Sequence, residues 1–288
     1  MNPLSQAILS GLMMGSVYAL LATGLVVVFH TSQIVNIAHG EGYAIGGIVT
    51  AVVAGRDLPL WVALGAGIVA AAAFSLMLER FLLRPRREWP INSLILITLA
   101  VAFFVRGALN VAVGTDPMSF PRLFVGPPIR IAGGVLPLQG LGLIAIGLSA
   151  AFAIPIFLAG TRLGRQLRAT AENPDAAELM GVNVDFARGL SFAIAGACSA
   201  LGALLLVPLV SVDFQTGLGM TMRGFIAAAL AGMSPFLAIG CGLFLGLAEA
   251  LVTTYWGALA KDPVVFLTLI AIALWQSRHI RFGGSLRA

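Results

Sequence analysis

Polar residues in this chain are confined to short intervals between long apolar runs. Runs of about 20 mostly apolar residues, enough to cross the hydrocarbon core of a bilayer, lie near 4–29, 34–54, 60–78, 92–114, 136–160, 188–210 and 222–256, with a shorter one near 263–277. Helices are the predicted elements, because a spanning segment has no water to satisfy its backbone and must do so internally. The run 222–256 is too long for one ordinary span. Ser234-Pro235 near its middle predicts a short half and a full helix, since proline removes a backbone donor. The fold class is therefore all-α, a polytopic transmembrane helix bundle with eight or nine membrane-inserted segments and one transmembrane domain over 1–288. Five prolines (Pro117, Pro121, Pro127, Pro128, Pro137) make 115–137 an external loop or short hairpin rather than a span. No internal repeat is clear along the chain.

Composition agrees with this pattern. Of 288 residues, 59% are apolar and 10% charged, whereas soluble domains average about 25% charged. The pI near 10 reflects a small excess of basic groups among few charges, so it speaks for loop sidedness and a lipid environment and against a nucleic-acid partner. Arg80, Arg84, Arg86 and Arg87 lie in 79–88, and Arg162, Arg165, Arg168 and Arg188 in 161–188. With Arg278, Arg281 and Arg287 they make 11 of the 17 basic residues, against four (Arg56, Arg122, Arg130, Lys261) in the alternate loops. The positive-inside rule puts the first set in the cytoplasm, and nine segments then leave the N-terminus outside. No charged residue precedes Glu41. A basic n-region is thus missing, and the first run is expected to be a retained helix rather than a signal peptide. Cys198 and Cys241 lack ligand-like neighbours and read as small apolar residues. Gly11/Gly15, Gly42/Gly46 and Gly242/Gly246 are GxxxG pairs, read as close helix packing within one subunit in preference to dimerisation.

Ionisable and polar groups inside spans are costly and are functional candidates. Asn36, His39 and Glu41 come first, with Thr98 and Glu249 completing the candidate pathway residues. Gly40 and Gly42 flank Glu41, and a helix break there would free backbone N–H groups of the kind that hold carboxylates in transporters. The alternative is that His39 and Glu41 pin neighbouring helices. Glu249 and Arg106 could pair or each reach an interface, and Arg223 is expected to be interfacial. Ser16, Tyr18 and Asn110 read as helix–helix hydrogen bonds. No third ligand stands near His39 and Glu41, so no metal site is predicted.

The largest predicted cytoplasmic loop, 161–189, reads TRLGRQLRATAENPDAAELMGVNVDFARG. Arg162, Arg165 and Arg168 form one stripe. Asn173 can cap a short helix with Pro174 at its first position, Asp175 and Glu178 suit its N-terminal half, and Gly181 stops it. Ala176, Ala177, Leu179 and Met180 supply a small apolar surface, which makes the helix a knob suited to a groove on a partner.

Asp175-Ala176-Ala177, three residues, then Gly181 resembles the EAA-xxx-G signature of ABC importer permeases, with Asp for Glu. RATAENPDAAELMGVNV, VNIAHGEGYAIGG (35–47) and KDPVVFLTLIAIAL (261–274) are similar to the permeases of branched-chain amino acid importers, the LivH-like type. The matches spread over nearly the whole chain. Two departures mark a divergent branch. Trp275-Gln276-Ser277-Arg278-His279 stands before Ile280-Arg281-Phe282-Gly283, where the family closes on R-P-x-G-L-F-G, and Ala231-Gly232-Met233 replaces a Gly-Gly pair. The resemblance implies the permease fold of an ABC importer in the bacterial cytoplasmic membrane, moving branched-chain or related amino acids into the cell. It implies as partners a second related permease, two cytoplasmic ATPases and an external solute-binding protein. Glu172, Asp175, Ala176, Ala177, Glu178 and Gly181 would dock the ATPases. The sole lysine, Lys261, is followed by Asp262, so the chain holds no P-loop. It is expected to be no enzyme and to carry no cofactor, with ATP and Mg bound by the partners. Alternatives are a permease for urea, amides or sugars, or an ion-coupled secondary transporter using His39, Glu41 and Glu249.

Overall fold

The computed structural model describes residues 2–56 and 58–260, and beyond them Pro263, Leu267 and Ile270. Apart from those three positions, the span predicted near 263–277 and the tail arginines lie outside the described residues. Ten helices form among the described residues, and seven helical segments are long and apolar enough to cross a membrane. This is a multi-pass membrane protein. A shorter eighth segment, inserted among them, is consistent with the predicted eight or nine.

Helix α1 (Pro3–Ser32) begins where the Asn2 side chain accepts from the Leu4 N–H and ends on Gln33 at φ 56°. Thirty residues give about 45 Å at 1.5 Å per residue, and most of that length is buried in the bundle. Helix α10 (Pro235–Trp256) runs antiparallel to it. A Cβ on Gly11 would fall 2.8 Å from the Leu247 Cα, and one on Gly15 would fall 2.8 Å from the Leu243 Cα. Only glycine allows this approach, and the Gly11/Gly15 and Gly242/Gly246 pairs therefore pack against each other within the chain. Gly42 and Gly46, on α2 (Glu41–Ala54), face Ser199 and Ala200 of α8 (Val184–Leu206).

Two spans are broken, and both breaks have the same design. After α1 the chain leaves the helix through the left-handed Gln33, runs without helix to Asn36, makes one 3-10 turn (Ile37–Gly40) and only then enters α2. After α8 it turns through 207–215 and enters α9 (Thr216–Leu230), just 15 residues long. Met233 at φ 60° and Ser234-Pro235 then separate α9 from α10, as the proline predicted. Asn36-x3-Gly40-x-Gly42-x4-Gly47-x6-Ala54-Gly55 is answered by Asp213-x3-Gly217-x-Gly219-x4-Gly224-x6-Ala231-Gly232. Against the expectation of no clear repeat, a weak one is thus present, with a spacing of 177 residues between its two copies. The Asn36 side chain accepts from the Ala38 N–H, and the Asp213 side chain accepts from Gln215 and Thr216, so each turns the chain into its short helix.

Helix α3 (Leu60–Met77) continues through a π turn (Leu78–Leu83) and a 3-10 turn (Arg84–Arg86), so most of the predicted loop 79–88 is helical. Helix α4 (Ile91–Val113) leads to the segment 115–137, where β1 (Ile129–Ile131) and β2 (Gly134–Leu136) form an antiparallel hairpin. Ala132 and Gly133 both have positive φ, as a two-residue hairpin turn requires. The hairpin lies against the start of α1: the Ser5 hydroxyl donates to the Ala132 carbonyl, and the Gln6 amide brackets Val135. Helix α5 (Leu138–Gly160) then separates the hairpin from α6 (Arg162–Glu172) by about 34 Å of helix.

Candidate functional site

Two places collect the residues singled out from the sequence. The first is inside the bundle, where the broken spans meet. Gly40 crosses the first turn of α9 so closely that a Cβ would fall 2.6 Å from the Thr221 nitrogen and nearer still to the Gly217 carbonyl. The Gly40 N–H donates to the Thr221 hydroxyl (2.8 Å), which in turn donates to the Ile37 carbonyl (3.0 Å). From the other side, the Ile37 N–H donates to the Thr98 hydroxyl of α4 (3.1 Å). His39 is buried, with Nε2 3.0 Å from the Leu21 carbonyl, and Ser199 donates to the His39 carbonyl (3.1 Å). A carbonyl only accepts, so Nε2 carries the proton in that contact.

Glu41, the first residue of α2, is fully buried, and its carboxylate lies beside Gly217 in the first turn of α9. It therefore sits near the positive end of α9 and in the first turn of α2, where helix dipoles favour a carboxylate. Its ionic partner is Arg106 of α4, Nε to Oε1 at 3.0 Å. Asn36, His39, Glu41 and Thr98 are thus brought together, and Arg106, Ser199 and Thr221 join them.

Glu249 stands apart. Its carboxylate accepts from the Tyr18 hydroxyl (2.7 Å) and from Arg223 Nε and Nη2 (3.0–3.3 Å), which ties α1, α9 and α10 together. Arg223 is not interfacial as expected: only 12% of its side chain is exposed. Arg106 reaches neither Glu249 nor an interface, because Glu41 is the carboxylate within its reach. The signal for Arg223 was present in the sequence, since it occupies the position in the second motif that Gly46 holds in the first.

The second place is the segment 161–189. Thr161 caps α6 by accepting from the Gly164 N–H, and Arg162, Arg165 and Arg168 are exposed along it. Asn173 accepts from the Ala176 N–H (3.0 Å), and α7 (Pro174–Leu179) follows with Pro174 at its start. Gly181 at φ 81° closes it, with the Val182 N–H returning to the Ala177 carbonyl (2.9 Å) and the Gly181 N–H to Glu178 (2.9 Å). Glu172, Asp175, Ala176, Glu178 and Gly181 are exposed, whereas Ala177 is buried against the body of the molecule. The outermost groups are Leu179 and Met180, 90% and 84% exposed. Behind α7 is a cleft of about 350 Å³ bordered by Glu79, Arg84, Arg87, Trp89 and Arg188. Arg84 and Arg87 pair there with Asp185 in the first turn of α8.

Residues 7–274 match the family described as branched-chain amino acid transport system / permease component. The high-affinity branched-chain amino acid transport system permease protein LivH of Escherichia coli (strain K12) is 32% identical over 286 residues, covering 93% of this chain and 92% of that protein. BraD of Pseudomonas aeruginosa, also a high-affinity branched-chain amino acid transport system permease protein, is 30% identical over 292 residues, covering 96% and 94%. The ribose import permease protein RbsC of Escherichia coli (strain K12) is 26% identical over 279 residues, covering 88% and 82%.

Proposed function

The chain belongs to the branched-chain amino acid transport system permease family, and from that premise we propose that it is the translocation subunit of an ATP-driven importer for branched-chain or related amino acids. It works in the bacterial cytoplasmic membrane with a second related permease, two cytoplasmic ATPases and an external solute-binding protein. ATP and Mg are bound by the ATPases. This chain contributes the membrane path and the surface that receives the stroke.

The observation that carries the reading is α7. A six-residue helix, capped at both ends, offers Leu179 and Met180 almost wholly to the outside at the end of the bundle opposite the hairpin. A soluble partner can bury both side chains in a groove, and the caps hold the helix so that a push on it reaches α6 and α8 rather than fraying the knob. In this reading Glu172, Asp175, Ala176, Glu178 and Gly181 form the docking face, and Ala177 anchors it from behind. The membrane path uses Asn36, His39, Glu41 and Thr98, where two helix N-termini meet. Glu249 stands apart from that path, as a pin between α1, α9 and α10.

The test is recovery of the chain from membranes by affinity tag, followed by identification of its companions. Two ATPase subunits and a second permease are expected with the wild type. Ala176→Arg, on an exposed position, should leave the protein inserted but lose the ATPases. Undiminished ATPase recovery with that variant would sink the docking assignment. One of the more distant relatives is a ribose import permease protein, so a sugar is the competing cargo, and uptake of labelled leucine against ribose separates the two.

A further inference from the structure

Among the described residues, two ion pairs on buried carboxylates bridge helices of this bundle, and their chemistry differs. In Arg223–Glu249 both carboxylate oxygens are engaged, by Arg223 and by the Tyr18 hydroxyl, and Arg223 Nη1 donates to the Gly219 carbonyl. That pair is saturated, as a structural pin should be. Arg106–Glu41 has one contact, Nε to Oε1. The second carboxylate oxygen, Oε2, and the terminal nitrogen Nη2 of Arg106 are both buried and have no hydrogen-bonding partner. One unused acceptor and one unused donor, of opposite charge, therefore lie on the same pair. Unmade bonds to buried charged groups are costly, and such groups in a transporter point to a ligand that completes them.

The surroundings favour exchange at this pair. Glu41 stands at the break before α2, against the first turn of α9. Arg106 stands on α4, whose main contacts are with that break, with α2 and with the end of α3, and whose Phe103 and Phe104 are largely exposed. A displacement of α4 would separate the pair, and the α1–α10 seam lies outside the main contacts of α4.

We propose that Glu41 and Arg106 meet the two charges of a zwitterionic amino acid inside the membrane, the ammonium at the free oxygen of Glu41 and the carboxylate at the free nitrogen of Arg106. This rests on the reading of the chain as an amino-acid permease and adds the residues that recognise the cargo's charged end. An α-amino acid carries ammonium and carboxylate on one carbon, so it spans an acid–base pair that is already adjacent. Each charge of the solute then replaces half of the existing pair, and no net charge is added to the low-dielectric interior. A sugar has no charges to exchange, so the pair selects zwitterions from neutral polyols.

The experiment uses the complete complex in proteoliposomes, with ATP inside, the solute-binding protein outside and labelled leucine as the probe. Glu41→Gln and Arg106→Gln should each lower leucine uptake by at least tenfold while the permease still assembles with its ATPases. Glu41→Asp and Arg106→Lys keep the charges and should restore a measurable part of the uptake. Uptake within twofold of wild type in Glu41→Gln overturns the proposal. So does loss of assembly in the Gln variants with the conservative variants equally inactive, because that is the behaviour of a pin. Wild-type complexes that accumulate ribose and no leucine overturn the functional reading itself, and the proposal with it. Wild-type leucine uptake with indifferent variants overturns the proposal alone.

Discussion

Single residues decide how closely this bundle closes. Gly15 and Gly246 bring α1 and α10 backbone to backbone, and a side chain on either must push the helices apart. Gly15→Val is expected to cost about 1–3 kcal/mol, the usual range for overpacking, read as a lowered midpoint of thermal unfolding in detergent. Gly65 has nothing within 4 Å of an added Cβ, so Gly65→Ala should leave the midpoint unchanged or raise it. The buried Arg223–Glu249 pair gives a second expectation. Removing one partner strands the other charge, at about 3–5 kcal/mol in buried pairs of soluble proteins. Arg223→Met with Glu249→Leu should then be less destabilised than either single variant, and additive losses in that double-mutant cycle would contradict the pin. The glycine pairs were legible in the sequence because spacing alone puts them on one helix face. The partners of the charges were not. Glu41, Arg106, Arg223 and Glu249 are each alone in an apolar run, and which acid meets which base depends on helix placement that no local pattern records.

Among the elements, α7 was the most legible. Asn173, Pro174 and Gly181 each act locally, through a side-chain cap, a fixed φ and a positive φ, so the sequence and the structure agree on both ends of the helix. Removing the cap with Asn173→Ala should cost about 1 kcal/mol of helix stability and weaken recovery of the ATPases without loss of inserted protein. Full recovery with Asn173→Ala and with Leu179→Arg together would show that the knob is not the docking element. The long spans were legible to within a few residues, because length and apolarity are enough to define them. The Ser234-Pro235 break was legible for a similar reason: proline acts on its own backbone. The two short helices were harder to read. Their shared Asn/Asp-x3-Gly-x-Gly frame is sparse, and the side chains between its fixed positions differ. Its meaning becomes visible only where Gly40 and Gly217 cross.

At the scale of the whole molecule, the hairpin and α7 mark opposite ends of the bundle, and the arginine count predicts α7 on the cytoplasmic side. A cysteine placed at Arg130 should be labelled by an impermeant maleimide in intact cells, and one placed at Asp175 only after the membrane is opened. The reverse pattern would invert the topology. On the proposed function one end would face an incoming solute and the other a cytoplasmic ATPase, with the crossing of the two short helices between them. Energy would enter at α7 and be used at that crossing, so transport should follow ATP and not an ion gradient. The most direct measurement is leucine accumulation in proteoliposomes holding this chain with its companion permease and ATPases. Uptake is expected only with ATP enclosed, unaffected by collapsing the proton and sodium gradients, and abolished by Leu179→Arg. Accumulation driven by an ion gradient without ATP would show instead a secondary transporter and contradict the importer reading.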